Sequence, residues 1–158
     1  IHDRPKRLRG DAISMNKIIE FDINKFEADI YFQTHVTNPN LMLNSIQNSI
    51  LFFSKQSKYD SVFSVTKKQI RLWNAKFQPL NHNPNKLIRT QKLENFYEEN
   101  SCFYIFTKNS FLKKRNRIGK KPFMFELDKL ESLDIDDIYD FKIAEQVHNY
   151  LNNAKEKT

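Results

Sequence analysis

The sequence predicts an α/β domain organised around a mostly parallel sheet. Short apolar runs of strand length alternate with longer stretches whose apolar residues recur at helical spacing, as when strands are covered by helices. The stretch 30–54 reads as a strand, a polar loop and a helix in succession, the unit that places ligands at the carboxyl ends of strands. With 158 residues, fourteen Phe and six Tyr, the chain is one domain by length and carries enough apolar bulk for a real core.

Taken in order, residues 16–26 read as a first helix and residues 30–34 (Ile-Tyr-Phe-Gln-Thr) as a buried strand. A loop holding Pro39 follows. Asn40 is placed to cap a helix running to about residue 54, with Leu43, Ile46, Ile50 and Phe53 on one face. Residues 61–66 alternate Val62, Phe63 and Val65 and form the second strand. From 67 to 95 the pattern is irregular, with short apolar pieces separated by turns such as Asn81-His82-Asn83-Pro84-Asn85. This predicts a projecting hairpin arm with too little core of its own and a need for a partner subunit. Residues 103–107 and 123–127 are the third and fourth strands, and 133–135 a short strand end. Residues 138–152 form a closing helix with Phe141, Ala144, Val147 and Leu151 on one stripe.

Composition excludes several function classes. Gly10 and Gly119 are the only glycines, so no glycine-rich phosphate loop or dinucleotide fingerprint is present. Cys102 stands alone, which excludes a disulfide framework and a thiolate zinc site and fits a reducing, cytoplasmic compartment. The longest apolar run, Ile50-Leu51-Phe52-Phe53, is far too short to span a bilayer, and no signal peptide pattern is present, so no membrane partner is expected. The net charge of +7 is spread along the chain, with denser spots at 2–9 and 113–121 that lack interleaved aromatics. Solvated surface explains this first, phosphate-bearing substrates second and nucleic acid third.

The most informative stretch is Leu133-Asp134-Ile135-Asp136-Asp137-Ile138-Tyr139-Asp140. In an extended strand, residues two apart point the same way, so Asp134 and Asp136 would share one face. Carboxylates that close repel unless a cation or a proton lies between them. Oxygen-only ligands at a strand end suit Mg²⁺. The same residues also read as a helix start with acidic neighbours, which is favourable without any metal.

Five segments, in order, carry a family resemblance. They are Arg4-Pro5 with Leu8 and Asp11; Thr37-Asn38-Pro39; Asp60-Ser61-Val62-Phe63-Ser64-Val65; Arg89-Thr90-Gln91 with Leu93, then Glu99-Asn100 and Tyr104; and Asp134-Ile135-Asp136 with Asp140 and Ala144-Glu145. The chain resembles the acylneuraminate cytidylyltransferases, the CMP-sialic acid synthetases, along nearly its whole length. The resemblance implies a three-layer, Rossmann-like nucleotidyltransferase domain over 1–158, with 67–95 as the dimerisation arm of a homodimer. It implies transfer of CMP from CTP to an ulosonic acid such as N-acetylneuraminate, with pyrophosphate leaving. Asp134 and Asp136 would be the catalytic pair that holds Mg²⁺, with Asp140 a less certain third carboxylate. Arg4 would meet the nucleotide base, with Asp11 and Ser14 in the same motif or else forming a turn and a helix cap. His35, Thr37, Asn38, Arg89, Gln91, Asn100 and Tyr104 would lie on the sugar side, and Lys67, Lys68, Arg71 and Lys86 are candidates for charges donated across the dimer.

The chain also departs from the family pattern. His35 stands where the family has Gln, Asn38 where it has Ser, and Ser101 where it has Gly; if that last position needs a positive φ, the serine is strained. The family's opening strand and its phosphate-gripping loop are not in this sequence, which starts at Ile1. The expectation is therefore the C-terminal two thirds of an enzyme, inactive and poorly soluble alone, with an interior sheet edge exposed. The rivals are activation of another nonulosonic or deoxy-octulosonic acid, a non-catalytic remnant, and a basic nucleic-acid binder.

Overall fold

A computed structural model describes residues 2–155. Four strands, β1 (Tyr31–Thr34), β2 (Ser61–Lys68), β3 (Phe96–Phe106) and β4 (Pro122–Glu126), form one sheet in the order β1-β3-β2-β4. Both β1 and β2 run antiparallel to β3, and β4 runs parallel to β2. Three strands thus share one direction, as expected, but the reversed β3 sits between two of them. Two of the three ladders are therefore antiparallel.

Helices α1 (Met15–Lys25), α2 (Leu43–Lys55), α3 (Lys108–Lys114) and α4 (Ile138–Lys155) complete the domain. Alternation along β3 sends Phe103 and Ile105 to one face and Tyr104 and Phe106 to the other. The first face packs with Val62, Leu127 and Phe53 of α2. The second packs with Ile19 and Ile23 of α1 and Phe111 of α3. This is the three-layer arrangement, with a core on each side of the sheet.

Several local expectations are corrected. Asn40 does not cap α2: its side chain is buried and donates to the Ala144 carbonyl at 3.2 Å. The buried Glu131 does that work instead, accepting from the Met42 amide at 3.3 Å and the Ser45 hydroxyl at 3.0 Å. Its carboxylate satisfies an orphan N–H and opposes the helix dipole. Residues 133–135 form no strand; one backbone–backbone bond, from the Ile135 amide to the Thr37 carbonyl at 2.9 Å, and the Asn38 side chain tie them to the loop after β1. On α4 only Ala144 of the expected stripe is buried, while Phe141 is exposed. Ser14 occupies the cap position of α1 without a side-chain capping bond. The unexpected α3 is short and starts from a reciprocal Thr107–Ser110 capping box.

In the segment 69–95 a lone Trp73–Pro79 bridge and a 3₁₀ turn at Thr90–Lys92 are the regular features. Trp73, Phe77, Leu80 and Leu87 are exposed there.

Two polar grips set the shape of β3 and of the loop after α3. Phe63 pairs with Tyr104 but Val65 pairs with Glu99, so residues 100–103 bulge opposite Ser64 alone. The Ser64 hydroxyl donates to Asn100 Oδ1 at 2.6 Å and accepts from the Phe103 amide at 3.0 Å, while Asn100 Nδ2 donates to Thr66 at 2.9 Å. Ser101 sits in the bulge at φ 59°, the left-handed region the sequence raised as a question. For a non-glycine residue this costs about 1–2 kcal/mol.

The second grip is Asp60-Ser61. The Asp60 carboxylate accepts from the Lys120 and Lys121 amides at 2.9 and 3.0 Å, and the Ser61 hydroxyl accepts from the Gly119 amide at 2.8 Å. A Cβ on Gly119 would stand 2.2 Å from Asp60 Oδ1. Gly119→Ala is therefore expected to destabilise the fold by roughly 1–3 kcal/mol through overpacking. Urea unfolding measures it; an unchanged midpoint would show that the grip is not needed.

Candidate active site at the end of β1

The site is built where β1 ends. His35 follows the strand, and the chain then turns so that the Asn38 amide bonds to the His35 carbonyl at 3.3 Å. Asn38 is buried and donates from Nδ2 to the Leu133 carbonyl at 3.1 Å and to Asp134 Oδ1 at 3.4 Å. Among the described residues its Oδ1 has no partner, an unsatisfied acceptor beside Asp134. Asn38 thus joins the loop after β1 to the acidic segment. The backbone of Thr37 assists through the Ile135 amide, and no side-chain bond of Thr37 is found among the described residues.

The acidic segment divides by function. Asp137 caps α4, accepting from the Tyr139 and Asp140 amides at 2.7 and 3.0 Å. Asp140 answers by accepting from the Asp136 and Asp137 amides at 3.1 and 3.2 Å. These two carboxylates are spent on the helix start. Asp134 and Asp136 are exposed, and Asp136 has no side-chain partner among the described residues. No group of three or more His, Cys, Asp or Glu side chains that could hold a metal occurs among the described residues. The exposed Asp134 and Asp136 are still an oxygen-only donor pair. It suits Mg²⁺, which uses one or two protein carboxylates with water and phosphate completing its shell.

Beside this lies a polar cluster on the α1 side of the sheet. Gln33 pairs across the ladder with Tyr104. The Tyr104 ring is fully buried, and the Arg117 guanidinium lies over it at 3.6 Å. Arg117 also donates to Gln33 Oε1 at 3.1 Å. Gln33 Nε2 is 3.0 Å from His35 Nε2. Burial and then Arg117 hold the His35 pKa below its usual value, with Asp134 acting the other way. The Tyr104 hydroxyl donates to Glu99 and lies 3.2 Å from the Ser101 hydroxyl. Glu99, Arg117, Asn116, Ser14 and Asn16 line a cavity of ≈ 270 Å³ next to this cluster.

The structure therefore brings together Asp134, Asn38 and His35, with Tyr104 and Ser14 nearby. Asn100 is a scaffold residue of the bulge. Arg4 and Asp11 are exposed and make no side-chain bond among the described residues. Arg89 is exposed in the segment 69–95. Gln91 lines a separate polar cleft of ≈ 680 Å³ with Lys67, Lys68 and Glu126. Arg117 and Gln33 were not singled out in the sequence, and Glu99 stood there only as the neighbour of Asn100 in a family segment. Gln33 and His35, two apart in a run of apolar strand residues, were the available signal. Cys102 is buried, and burial pushes its thiol up to about 12, which makes it inert.

Burial, and then the hydrogen bond to Glu99, push the Tyr104 phenol up to about 12. Unfolded tyrosine ionises near pH ~10, so the folded state keeps its proton where the unfolded state loses it, and stability falls as pH rises from ~10 towards 12, by up to roughly 3 kcal/mol. Ultraviolet titration of the wild type against Tyr104→Phe should show one tyrosine ionising late. Glu99→Gln should bring it down only part of the way, since burial is the larger cause. Ionisation of every tyrosine near pH ~10 would contradict the burial of Tyr104.

No family model matches the chain. Among curated proteins it is 29% identical over 154 residues to N-acylneuraminate cytidylyltransferase A of Danio rerio, covering 92% of this chain and 35% of the relative. The N-acylneuraminate cytidylyltransferase of Oncorhynchus mykiss gives the same identity and coverage. That of Escherichia coli is 26% identical over 163 residues, covering 94% of this chain and 38% of the relative. The chain thus spans little more than a third of the length of these relatives, a smaller share than the two thirds expected. The α/β sandwich and the ordered motifs agree with this match, and the chain is related in sequence to the N-acylneuraminate cytidylyltransferases along nearly all of its length.

Proposed function

We propose that this chain forms part of a cytidylyltransferase that moves CMP from CTP onto an ulosonic acid of the sialic type, releasing pyrophosphate. The observation that carries the reading is the match of nearly the whole chain to three proteins of that one name. It is supported by the tie between Asp134 and the loop after β1, which puts acidic and neutral polar groups at one strand end, where α/β folds bind ligands.

Phosphoryl-type transfer asks a protein mainly for positioning and charge neutralisation. Asp134 and Asp136 would hold Mg²⁺, which when bound neutralises phosphate charge. Asn38 holds Asp134 in place, and the Asp137–Asp140 box keeps those two acids out of the metal shell. Tyr104 stays protonated at neutral pH and keeps Glu99 and Ser101 on the cluster. In this reading Thr37, Arg89 and Gln91 serve the sugar acid, while Lys67, Lys68, Arg71 and Lys86 serve a homodimer, a role supported by the exposed Trp73, Phe77 and Leu87. Arg4, Asp11 and Ser14 remain the proposed nucleotide contacts. The isolated chain, which lacks the triphosphate-binding loop of that reading, is expected to be inactive.

The test is CTP-dependent pyrophosphate release with Mg²⁺ and a panel of ulosonic acids, run on the complete protein that contains this chain. Asp134→Asn and Asp136→Asn are each expected to lower kcat/KM by about a hundredfold or more, a loss of roughly 3 kcal/mol of transition-state stabilisation. Turnover by the isolated chain, or full activity of the double variant, would overturn the proposal.

A further inference from the structure

We infer that Arg117 and Gln33 act as a positioning pair that holds His35 as a neutral imidazole with its proton on Nδ1, so that the site presents a fixed N–H donor. The inference rests on hydrogen-bond direction. A guanidinium only donates. The Gln33 side-chain atom 3.1 Å from Arg117 must therefore be the carbonyl oxygen. That turns the Gln33 amide nitrogen, which also only donates, towards His35 Nε2 at 3.0 Å. Arg117 itself lies 3.5 Å from the same nitrogen. With donors on this side, Nε2 keeps its lone pair as an acceptor, and the single proton of the neutral ring lies on Nδ1.

Arg117 is anchored on all sides. Its guanidinium rests on the Tyr104 ring, and its amide donates to Asn16 Oδ1 at 3.4 Å. The Gly119–Lys121 stretch just beyond is gripped by Asp60 and Ser61. No acidic group lies within ion-pair distance of Arg117 among the described residues, so nothing draws the cation off Gln33. His35 Nε2 is committed to this network and is not available as a base. What His35 offers is an N–H, suited to a carboxylate, carbonyl or hydroxyl oxygen of the sugar acid; this last step rests on the proposed function.

The decisive measurement is the pair of imidazole ¹⁵N shifts of His35 in the folded chain, by long-range correlation NMR near neutral pH. Nδ1 should be pyrrole-like and Nε2 pyridine-like. Gln33→Glu, which places an acceptor against Nε2, should move the proton to Nε2 or add a second one. A proton on Nε2 in the wild type overturns the inference, whether or not the variant folds. An Nδ1–H ring that is unaltered in both Gln33→Glu and Arg117→Met overturns the positioning role. In the pyrophosphate assay His35→Gln, which keeps an N–H donor, should hold KM for N-acetylneuraminate within about threefold, while His35→Phe should raise it about tenfold or more, the worth of one hydrogen bond. An unchanged KM in His35→Phe overturns the donor role. Absence of turnover with every acceptor rejects the transferase reading and leaves the proton position to the spectrum.

Discussion

The bulge of β3 and the course of the loop after α3 depend on the need to satisfy buried hydroxyls in β2. Ser61 and Ser64 are fully buried, and an unpaired hydroxyl at such positions costs about 1–3 kcal/mol. A straight partner strand offers backbone groups already committed to the ladder. Here β3 bulges so that Asn100 and the Phe103 amide meet Ser64, and the loop after α3 folds in so that the Gly119 amide meets Ser61. The Asp-Ser-Val-Phe-Ser-Val strand is thus a device for shaping its neighbours more than a source of ligands.

The consequence reaches the cluster beside His35. In a regular strand Glu99 and Tyr104, five apart, would point to opposite faces roughly 17 Å apart. The bulge shortens that path, and the Tyr104 hydroxyl reaches the Glu99 carboxylate. The left-handed Ser101 accepts its backbone strain within this turn and adds its own hydroxyl to the pair. Asp60 and Ser61 hold the far end of the loop that carries Arg117 onto the Tyr104 ring. Two independent grips from one strand therefore converge on one aromatic side chain.

Much of the fold was legible because it is local. Helical spacing placed α2 and α4, and alternation placed β2, to within a few residues, and α1 and β4 also lie close to where the sequence put them. Strand direction was not legible: the reversal of β3 is a matter of topology, and the aromatic run at 103–106 reads the same either way. Nor was the capping of α2 by Glu131, which comes from 89 residues away. At the site, the Asn38–Asp134 tie joins segments that the sequence singled out separately. The Asp137–Asp140 box is the helix-start alternative realised by those two acids, leaving Asp134 and Asp136 unspent. Arg117 was hidden in a basic stretch that reads as solvated surface, since nothing local tells which cation of Lys113, Lys114, Arg115 and Arg117 turns inward.

Amide hydrogen exchange tests the central claim most directly. Phe103 pairs with Thr34 of β1 and Gly119 lies in the loop after α3, and their amides donate to the Ser64 and Ser61 hydroxyls. If these grips hold the structure together, both amides exchange as slowly as the ladder amides of Val62 and Ile105, only through global opening. Exchange at either amide many times faster than in the ladder would mean that the bulge and the loop open on their own, and the shaping role of β2 would fail.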